Sequence, residues 1–347
     1  MRLGLAFTLQ GRWQRGSGRD CRLDDQADSQ VDYETPSTID AVRDALSRLG
    51  HDVAMLGDGR PAIARLLDDP PLDAVFNIAE GRSGPWREAT LPALYEVLGM
   101  RYTHSDPRAL LVSHDKHLAK LQIRHAGLPT PDWLLATGRD QIDSPPSLPV
   151  IVKPQYEGTS MGIDSGSVCS TQEQIESRVA KISDAYAQPA IVEAFMTGRE
   201  FSVAVLGTGD SAKAIGAIEP FHTHALAISD WQTKYDTRER GRFRVWTDGE
   251  SRLSDACLRL AEHVHAALDL RDVSRIDLRC DETGSPSFIE ANALPGLDPI
   301  HGFVPVIASS IGWSYDDLVR SIYESASMRW VAEKRTARHN ETHDRDG

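Results

Sequence analysis

Apolar runs alternate with helical repeats of apolar residues along the first part of the chain. The stretches RLGLAFTL and DAVFNIA are rich enough in apolar side chains to predict two buried strands. Between them, apolar residues recur every three or four positions, the spacing of an amphipathic helix that ends at Gly50. These residues are Ile39, Val42, Leu46 and Leu49. Because strands that alternate with helices are typical of parallel sheets, we expect a parallel α/β sheet here.

The later segments combine helices with strands that follow one another closely. Helical spacing occurs in DKHLAKLQIRHAG, TQEQIESRVAKISDAY, SDACLRLAEHVHAALDL and YDDLVRSIYESASMRW, and Thr171 can cap the second of these. Strands are predicted for PDWLLAT, VIVKP, AIVEAF and EFSVAVLG. The polar segment 10–36 predicts a long loop, and the charged tail 333–347 lacks periodicity and predicts disorder.

A predicted hairpin near the C-terminus sets two carboxylates of like charge opposite each other. The strands RIDLRC and SFIEAN flank DETGSP, in which Thr283 and Gly284 can form a two-residue turn. Counting outward from this turn pairs Asp277 with Glu290, so that their Cβ atoms are about 5 Å apart on one face. Like charges at that distance destabilise a sheet, so that this arrangement needs an explanation.

A divalent cation would remove the repulsion between the two carboxylates. The same register pairs Arg275 with Asn292, which brings an amide oxygen close to them. Asp277, Glu290 and Asn292 then form a set of hard oxygen donors suited to Mg²⁺, with phosphates and water completing the coordination. The alternative is a solvated polar face on an ordinary hairpin, and a register slip of one residue would favour it.

A second candidate site follows the strand VIVKP. Lys153 lies at the end of this strand, and the loop after it contains small residues, namely Gly158, Thr159, Ser160 and Gly162. Backbone N–H groups of such a loop can approach phosphates closely, and a lysine adds positive charge. The spacing differs from that of a P-loop, and a surface lysine beside a turn is the alternative.

Two glutamates lie at the ends of the adjacent strands AIVEAF and EFSVAVLG. Glu193 precedes the connection between the strands, and Glu200 opens the second strand. Carboxylates in such places can accept hydrogen bonds from an adenine amine or from ribose hydroxyls. The alternative is that both are exposed acidic residues at strand ends, which are common.

Composition excludes several classes of function. The net charge is −13 and there is no long basic patch, which excludes nucleic acid as a primary partner. No apolar segment reaches the length needed to cross a membrane, and the N-terminal run is too short for a signal peptide. The cysteines form no C-x-x-C pair, which favours reduced thiols in a cytoplasmic protein.

The order of these segments resembles the D-alanine–D-alanine ligase family of the ATP-grasp superfamily. The matching segments are HDKHLAKLQIRHAGLPTP, LPVIVKPQYEGTSMGI, VEAFMTGREFSVAV and RIDLRCDETGSPSFIEANALPGLDP. The resemblance implies an α/β protein with the ATP-grasp fold, in which an N-terminal parallel α/β domain precedes a two-lobed ATP-binding region. The expected boundaries are 1–112 for the N-terminal domain, 113–198 for the central lobe, 199–332 for the C-terminal lobe and 333–347 for the tail.

The resemblance further implies an ATP-dependent ligase that joins the carboxylate and the amine of small amino-acid substrates through an acyl phosphate. ATP and Mg²⁺, or Mn²⁺ in its place, are the implied cofactors. A cytoplasmic D-alanine–D-alanine ligase that supplies peptidoglycan precursors, in the form of a homodimer, is the first interpretation. An amino-acid ligase of secondary metabolism and a non-catalytic ATP-binding protein are the alternatives.

Roles at the phosphates also follow from the resemblance. Lys116 and Lys153 would contact the α- and β-phosphates, and Lys234 would reach the γ-phosphate as a catalytic residue. The loop over the phosphates would comprise Glu157, Gly158, Thr159, Ser160, Met161 and Gly162. Thr159 and Ser160 are also candidate catalytic residues within it.

The remaining implied roles concern the nucleoside, the metal and the acyl centre. Glu193 and the backbone near Phe195 would meet adenine, and Glu200 would meet ribose. Arg275 would face the acyl centre as a catalytic residue. The implied metal ligands are Asp277, Glu290 and Asn292.

The positions that would bind the amino acids depart from the family pattern. Glu34 is a candidate counterpart of the family's N-terminal glutamate, and Glu80 stands where the family has histidine. The serine that helps to hold the acceptor carboxylate is missing, and His301 or Gly302 takes its place. The arginines of the segment Arg238–Arg244 would line a pocket for a larger or more acidic substrate, or belong to a solvated loop. The candidate substrate-binding residues are Glu34, Glu80, Tyr235, Arg275, Gly296 and His301.

Overall fold

The computed structural model describes residues 1–9, 33–68, 70–82, 84–138, 142, 144–158, 161–220 and 243–343. These residues form three β-sheets, of three, five and four strands. The three-stranded sheet is parallel, whereas the strands of the other two sheets pair antiparallel. The predicted combination of a parallel α/β part with a two-sheet part is confirmed.

The N-terminal part is built around the parallel sheet. Its elements are β1 (Arg2–Phe7), α1 (Pro36–Arg48), β2 (Asp52–Gly57), α2 (Gly59–Asp68), β3 (Ala74–Ile78), α3 (Thr90–Val97) and α4 (Pro107–His114). The strand order is β2–β1–β3. Helix α1 buries Ile39, Val42 and Leu46, three of the residues whose spacing predicts it. The periodic pattern therefore identifies the face of α1 that packs on the sheet.

The hydrophobic pattern does not predict β2, α2 or α4, and each has a local reason. Strand β2 has only one fully buried residue, Leu56, so that its sequence does not resemble a buried strand. Helix α2 contains Gly59 and Pro61, residue types that are typical of turns. Helix α4 begins with Pro107 and is capped by Asp106, whose carboxylate accepts the Ala109 N–H.

The central part contains the four-stranded sheet. Its elements are α5 (Lys116–His125), β4 (Trp133–Ala136), β5 (Val150–Pro154), β6 (Val168–Cys169), α6 (Gln172–Tyr186) and β7 (Ala190–Ala194). The strand order is β4–β7–β5–β6, and α6 packs on the sheet. The Thr171 side chain accepts the Gln174 N–H, and the Gln174 side chain accepts the Thr171 N–H. This reciprocal arrangement confirms the predicted cap at Thr171.

The C-terminal part contains the five-stranded sheet, with strand order β10–β9–β8–β11–β12. Its elements are β8 (Glu200–Leu206), β9 (Lys213–Pro220), β10 (Phe243–Trp246), α7 (Arg252–Ala267), β11 (Val273–Cys280), β12 (Pro286–Asn292), α8 (Phe303–Ser310) and α9 (Tyr315–His343). On β8, Val203 and Val205 pack with α7, whereas Ala204 and Leu206 pack with the N-terminal sheet, α8 and α9. Both faces of this sheet are therefore buried, which explains why EFSVAVLG is continuously apolar.

The hairpin of β11 and β12 has the predicted pairs, Asp277 with Glu290 and Arg275 with Asn292, but not the predicted turn. The Asp281 N–H donates to the Ser285 carbonyl and the Gly284 N–H to the Asp281 carbonyl, so that three residues, 282–284, form the loop. Gly284 has φ +86°, as this loop type requires.

A β-bulge in the same hairpin compensates for the longer loop. The register shifts between Asp277 and Leu278, so that Leu278 pairs with Phe288 while Asp277 pairs with Glu290. The third loop residue moves the register by one position, and the extra residue of β12 at the bulge moves it back. The prediction at the two carboxylates is correct because these two differences cancel.

The last helix is longer than the pattern predicts. Helix α9 continues to His343, whereas the segment after residue 332 is predicted from its sequence to be disordered. Six of the eleven residues 333–343 are alanine, glutamate, lysine or arginine, which favour helices, and an ion pair of Arg329 with Glu333 at 3.7 Å spans the start of the extension. Helix propensity here replaces the apolar stripe that the prediction required.

No helix within the described ranges is long and apolar enough to cross a bilayer.

A buried carboxylate ties the N-terminal part to the C-terminal part. Asp272 lies just before β11 and is completely buried. It accepts hydrogen bonds from the His104 N–H at 2.8 Å and from the Ser325 hydroxyl at 2.9 Å. The Thr208 hydroxyl and the Arg329 guanidinium donate to it at 3.0 Å each. Hydrogen bonds to this one carboxylate therefore connect three segments that are distant in sequence.

We predict that Asp272→Asn lowers the free energy of unfolding by about 3 kcal/mol, because it leaves the Arg329 guanidinium without its buried counter-charge. Asparagine tolerates the positive φ of Asp272, +66°, so that backbone strain does not contribute. Asp269→Asn is the matched control, since Asp269 also has a positive φ but is exposed and pairs with Arg108 at 3.7 Å. Urea unfolding should show a change within about 0.5 kcal/mol for the control. Equal losses in the two variants would contradict the assignment.

Candidate active site

Two lysines and a glutamate form a buried charge cluster at the four-stranded sheet, called here the buried triad of Lys120, Lys153 and Glu193. Lys153 and Glu193 lie on the paired strands β5 and β7, on the same face. The Lys153 ammonium donates to Glu193 Oε1 at 3.2 Å, and the Lys120 ammonium lies 2.6 Å from Glu193 Oε2. All three side chains are almost completely buried.

The pKa values of Lys120 and Glu193 are both lowered, for different reasons. Burial lowers the pKa of Lys120 to about 8, although the attraction of Glu193 opposes this change. Burial alone would raise the pKa of Glu193, but Lys120 and Lys153 together hold it below its ordinary value. Glu193 is therefore a carboxylate that stays ionised between two ammonium groups.

Asp277 and Glu290, called here the acidic pair, each have a cation of their own. The Arg275 guanidinium donates to both oxygens of Asp277, at 3.0 and 2.9 Å. The Lys116 ammonium lies 3.6 Å from Glu290. The Ser202 hydroxyl donates to Asp277 at 2.6 Å. These contacts reduce the repulsion that the hairpin register creates.

The acidic pair fits a hard divalent cation that takes part of its coordination from elsewhere. Asn292 lies next to the pair, with its amide nitrogen 3.4 Å from Asp277. Among the described residues, no group of three or more histidine, cysteine, aspartate or glutamate side chains converges as a metal site. Two carboxylates and one amide are too few for a closed site, whereas a cation that also binds phosphate oxygens and water needs only such a partial set.

The start of the loop after β5 is held by contacts of Glu157 with three neighbouring side chains. The carbonyl of Glu157 accepts a hydrogen bond from the Lys116 ammonium. The Glu157 carboxylate accepts one from Gln188 at 2.7 Å and lies 3.7 Å from the Arg87 guanidinium. Since Lys116 also pairs with Glu290, one ammonium joins this loop to the acidic pair.

The far end of the same loop requires glycine. The Met161 N–H donates to the Gly158 carbonyl at 2.9 Å, which closes a tight turn. Gly162 has φ +69°, and a Cβ atom there would lie 2.7 Å from a side-chain carbon of Pro154. Both the conformation and the close approach exclude other residues. The predicted Thr159 and Ser160 lie between these ends, outside the described residues.

Phe195 and Glu200 lie where the four-stranded sheet meets the five-stranded sheet. The Arg279 guanidinium stacks on the Phe195 ring at 4.5 Å and lies 3.6 Å from Glu200. The Gly198 N–H between them donates to the Cys280 carbonyl at 3.0 Å. The predicted adenine and ribose positions are therefore on one connection between the sheets.

The predicted amino-acid positions Glu34 and His301 come together around Asp298. The Asp298 carboxylate accepts from the Thr38 hydroxyl at 3.1 Å and lies 3.0 Å from His301 Nδ1. Burial and the charge of Asp298 raise the pKa of Glu34 to about 7, against hydrogen bonds from the Leu297 backbone and Thr38. Glu34 is thus poised to change charge near neutral pH.

The other candidate substrate residues do not form a cluster of this kind. Glu80 follows β3, and the next residue, Gly81, donates its N–H to the Thr8 hydroxyl at 3.0 Å. The Cβ position of Gly296 meets no atom within 4 Å, so that space is open beside it. Arg244 stacks on Trp246 at 3.5 Å, which is the behaviour of a surface arginine. The predicted Lys234 and Tyr235 and the remaining arginines of the segment 238–244 lie outside the described residues.

Sequence reasoning misses Lys120 and Arg87. Lys120 lies one helical turn after Lys116, but lysine on a helix is usually exposed, and nothing in DKHLAK shows its burial. Arg87 stands in the segment that departs most from the family pattern, so that no motif marks it. Their partners Glu193 and Glu157 are distant in sequence, and only the fold brings them close.

Comparison with known sequences identifies one family. A sequence model described as "D-ala D-ala ligase C-terminus" matches residues 123–324. A D-alanine–D-alanine ligase of Bordetella petrii is 32% identical over 291 residues, covering 83% of this chain and 86% of that protein. One of Methylorubrum populi is 32% identical over 298 residues, covering 83% and 92%. The uncharacterized protein y4sG of Sinorhizobium fredii is 30% identical over 300 residues, covering 84% and 88%.

Solved structures agree on the fold. A crystal structure of the D-alanine–D-alanine ligase from Bacillus anthracis, complexed with ATP, matches with a TM-score of 0.69. The match covers 96% of this chain and 99% of that chain at 17% sequence identity. The predicted ATP-grasp fold is thereby confirmed.

The raised pKa of Glu34 predicts a pH-dependent contribution to stability. The folded state prefers protonated Glu34, so that its contribution is complete below the ordinary value of 4.5 and is lost as the pH rises through about 7. Glutamine cannot ionise. The unfolding free energy of wild type minus that of Glu34→Gln should therefore fall by about 3 kcal/mol across this range. Urea unfolding of both proteins measures this difference, and a difference that does not change with pH would contradict the burial of Glu34.

Proposed function

Because the chain belongs to the D-alanine–D-alanine ligase family, we propose that it joins the carboxylate of one small amino acid to the amine of another through an acyl phosphate. At the level of the family, the chain is an ATP-dependent ligase. The observation that carries the proposal is on helix α5, where Lys116 contacts Glu290 of the acidic pair and Lys120, one helical turn later, contacts Glu193 of the buried triad. Cations for an anionic nucleotide and oxygen donors for a cation are thus adjacent.

The proposed reaction has two steps. The donor carboxylate attacks the γ-phosphorus of ATP, which releases ADP and gives an acyl phosphate. The acceptor amine then attacks the acyl carbon through a tetrahedral oxyanion, and phosphate leaves as the amide forms. Negative charge develops on the leaving oxygen of ADP in the first step and on the acyl oxygen in the second, so that fixed cations lower the barriers. Lys116 and Lys153 would serve the phosphates, and Arg275 would serve the oxyanion at the acyl centre.

Asp277, Glu290 and Asn292 would hold Mg²⁺, or Mn²⁺ in its place. The cation would supply charge neutralisation and orientation of the phosphates. With a cation held there, Lys116 would no longer be needed by Glu290 and would be available to an anion. The chain's own cations thus keep the acidic pair stable before ligands bind.

The remaining proposed roles follow the resemblance. Glu193 and the backbone near Phe195 would meet adenine, and Glu200 would meet ribose. The loop 157–162 would cover the phosphates and exclude water from the acyl phosphate. Glu34, with its pKa near neutrality, would hold a substrate ammonium, which would favour its ionised form.

A second candidate is a ligase for other amino acids, and a specific observation favours it. Where the family places a serine for the acceptor carboxylate, this chain has His301 or Gly302, and His301 Nδ1 lies 3.0 Å from Asp298. A carboxylate beside a substrate carboxylate is unfavourable, so that the acceptor would differ from D-alanine or bind differently.

Further expectations remain predictions. They are the domain boundaries at 112/113 and 198/199, a homodimer, and action in the cytoplasm on peptidoglycan precursors. The carboxylate–amine reaction does not depend on any of them.

We predict that the purified protein with ATP and Mg²⁺ releases phosphate when D-alanine is added, and that mass spectrometry detects the dipeptide. L-alanine is the control. Phosphate release only with other acid–amine pairs would replace D-alanine by those substrates and support the second candidate. ATP binding without phosphate release from any pair would contradict the proposed function.

We predict that Glu290→Gln lowers the rate of phosphate release by at least about a hundredfold, because one carboxylate of the acidic pair is lost. Glu282→Gln is the matched control, since Glu282 is an exposed residue in the turn of the same hairpin. It should stay within about twofold of wild type. A rate near wild type for Glu290→Gln would remove the metal assignment.

A further inference from the structure

Lys120 is the most deeply buried charged residue near the proposed nucleotide site, and no part of the proposed reaction uses it. Its side chain is completely buried. The ammonium donates to the Thr130 hydroxyl at 2.7 Å, and this hydroxyl donates to the Phe288 carbonyl at 2.9 Å. The rings of Trp133 and Phe288 lie 5.5 and 6.0 Å from the ammonium. Lys120 is therefore fixed on several sides and cannot reach a ligand.

Lys153 is held much less firmly than Lys120. Within the described ranges, its ammonium has one hydrogen-bonding partner, Glu193 at 3.2 Å. The contact of Lys120 with the same carboxylate is shorter, 2.6 Å, and involves the other oxygen. Lys153 also lies near the end of β5, shortly before the loop 157–162. It is the member of the buried triad that can change partner.

The charges of the buried triad add up to one surplus positive charge. Glu193 supplies one negative charge, and Lys120 and Lys153 supply two positive charges. If Lys120 neutralises Glu193, the charge of Lys153 is available to an anion. Without Lys120, Lys153 and Glu193 would neutralise each other, and a phosphate would have to break a buried ion pair to gain the same contact.

We propose that Lys120 is a positioning residue that acts as the counter-charge of Glu193 and thereby frees Lys153 to bind a phosphate of the nucleotide. The inference rests on the nucleotide-binding part of the proposed function. It gives a reason for a buried lysine that a folded protein does not otherwise need. It also separates the roles of the three lysines: Lys116 and Lys153 touch the ligand, and Lys120 acts through Glu193.

A double-mutant cycle with binding as the readout tests the charge count. The ligand is a non-hydrolysable ATP analogue with Mg²⁺, and adenosine is the control ligand without phosphates. Lys120→Met should weaken the analogue about tenfold or more in the wild-type background. In the Glu193→Gln background it should cost less than about threefold, because Lys153 then has no carboxylate to neutralise it. Adenosine should lose much less affinity than the analogue in Lys120→Met, less than about threefold, because it has no phosphate for Lys153 to bind.

The same experiment can overturn the inference. Equal losses from Lys120→Met in both backgrounds, or equal losses for the analogue and for adenosine, would show that Lys120 only shapes the site. Thr130→Val is a further control, since it removes a hydrogen bond of Lys120 but keeps its charge. It should bind the analogue within about threefold of wild type, and a loss as large as that of Lys120→Met would contradict the charge argument.

A pH series needs no variant that might fail to fold. The charged groups that face Lys120 are Glu193, Lys153 and Arg124, and burial lowers the pKa of Lys120 to about 8. As the pH rises through this value, Lys120 loses its charge and Lys153 stays paired with Glu193. Wild-type affinity for the analogue should therefore fall, and adenosine affinity should fall much less. Lys120→Arg should remove the fall, because arginine keeps its charge. Constant affinity of wild type for the analogue would overturn the inference.

The outcomes for the two proposals are distinguishable. A wild-type protein that binds the analogue but forms no amide would refute the ligase reaction. The double-mutant cycle would still decide the role of Lys120, because it measures binding alone. A wild-type protein that binds neither ligand would refute the inference itself.

Discussion

The opposition of Asp277 and Glu290 across one hairpin is the constraint on which the rest of the site depends. The backbone register places both carboxylates on the same face, so that the chain must bring positive charge to them. It does so from two directions, with Arg275 from the same strand and Lys116 from the start of helix α5. Because Lys116 also contacts the Glu157 carbonyl, balancing this repulsion joins the loop over the proposed phosphate site to the C-terminal sheet. The contacts that stabilise the acidic pair are those that ligands would replace.

The buried triad also brings positive charge to a carboxylate, but in the interior of the protein. Burying two ammonium groups and a carboxylate costs free energy that hydrophobic side chains of similar size would not cost. Such an arrangement is expected where a later ligand uses the charge, since sites that carry function depart from the rules that stabilise the rest of a fold. Lys120 and Glu193 neutralise each other, and Lys153 carries the remaining positive charge. The two lysines hold the pKa of Glu193 below its ordinary value against the effect of burial, which agrees with this division.

The sequence predicts the elements with strong local signals and misses those that depend on distant partners. The spacing in α1 and the cap at Thr171 are local, and both are confirmed. Gly284 indicates a turn but does not specify its length, and the bulge beside Leu278 has no signature of its own. The correct pairing of Asp277 with Glu290 therefore rested on two cancelling differences. The burial of Lys120 could not be predicted, because it depends on Glu193 and Phe288 from other strands. The extension of α9 was missed because a periodic apolar stripe was required of every helix.

The central claim is that this chain activates a carboxylate as an acyl phosphate, and isotope transfer tests it most directly. The acid substrate that supports phosphate release is labelled with oxygen-18 in its carboxylate, and the released phosphate is analysed by mass spectrometry. Attack of the carboxylate on the γ-phosphorus, followed by attack of the amine on the acyl carbon, leaves one labelled oxygen in the phosphate. We predict one labelled oxygen per phosphate released. Phosphate that carries no label while ATP is consumed would show that water attacks the γ-phosphorus, and would contradict the account.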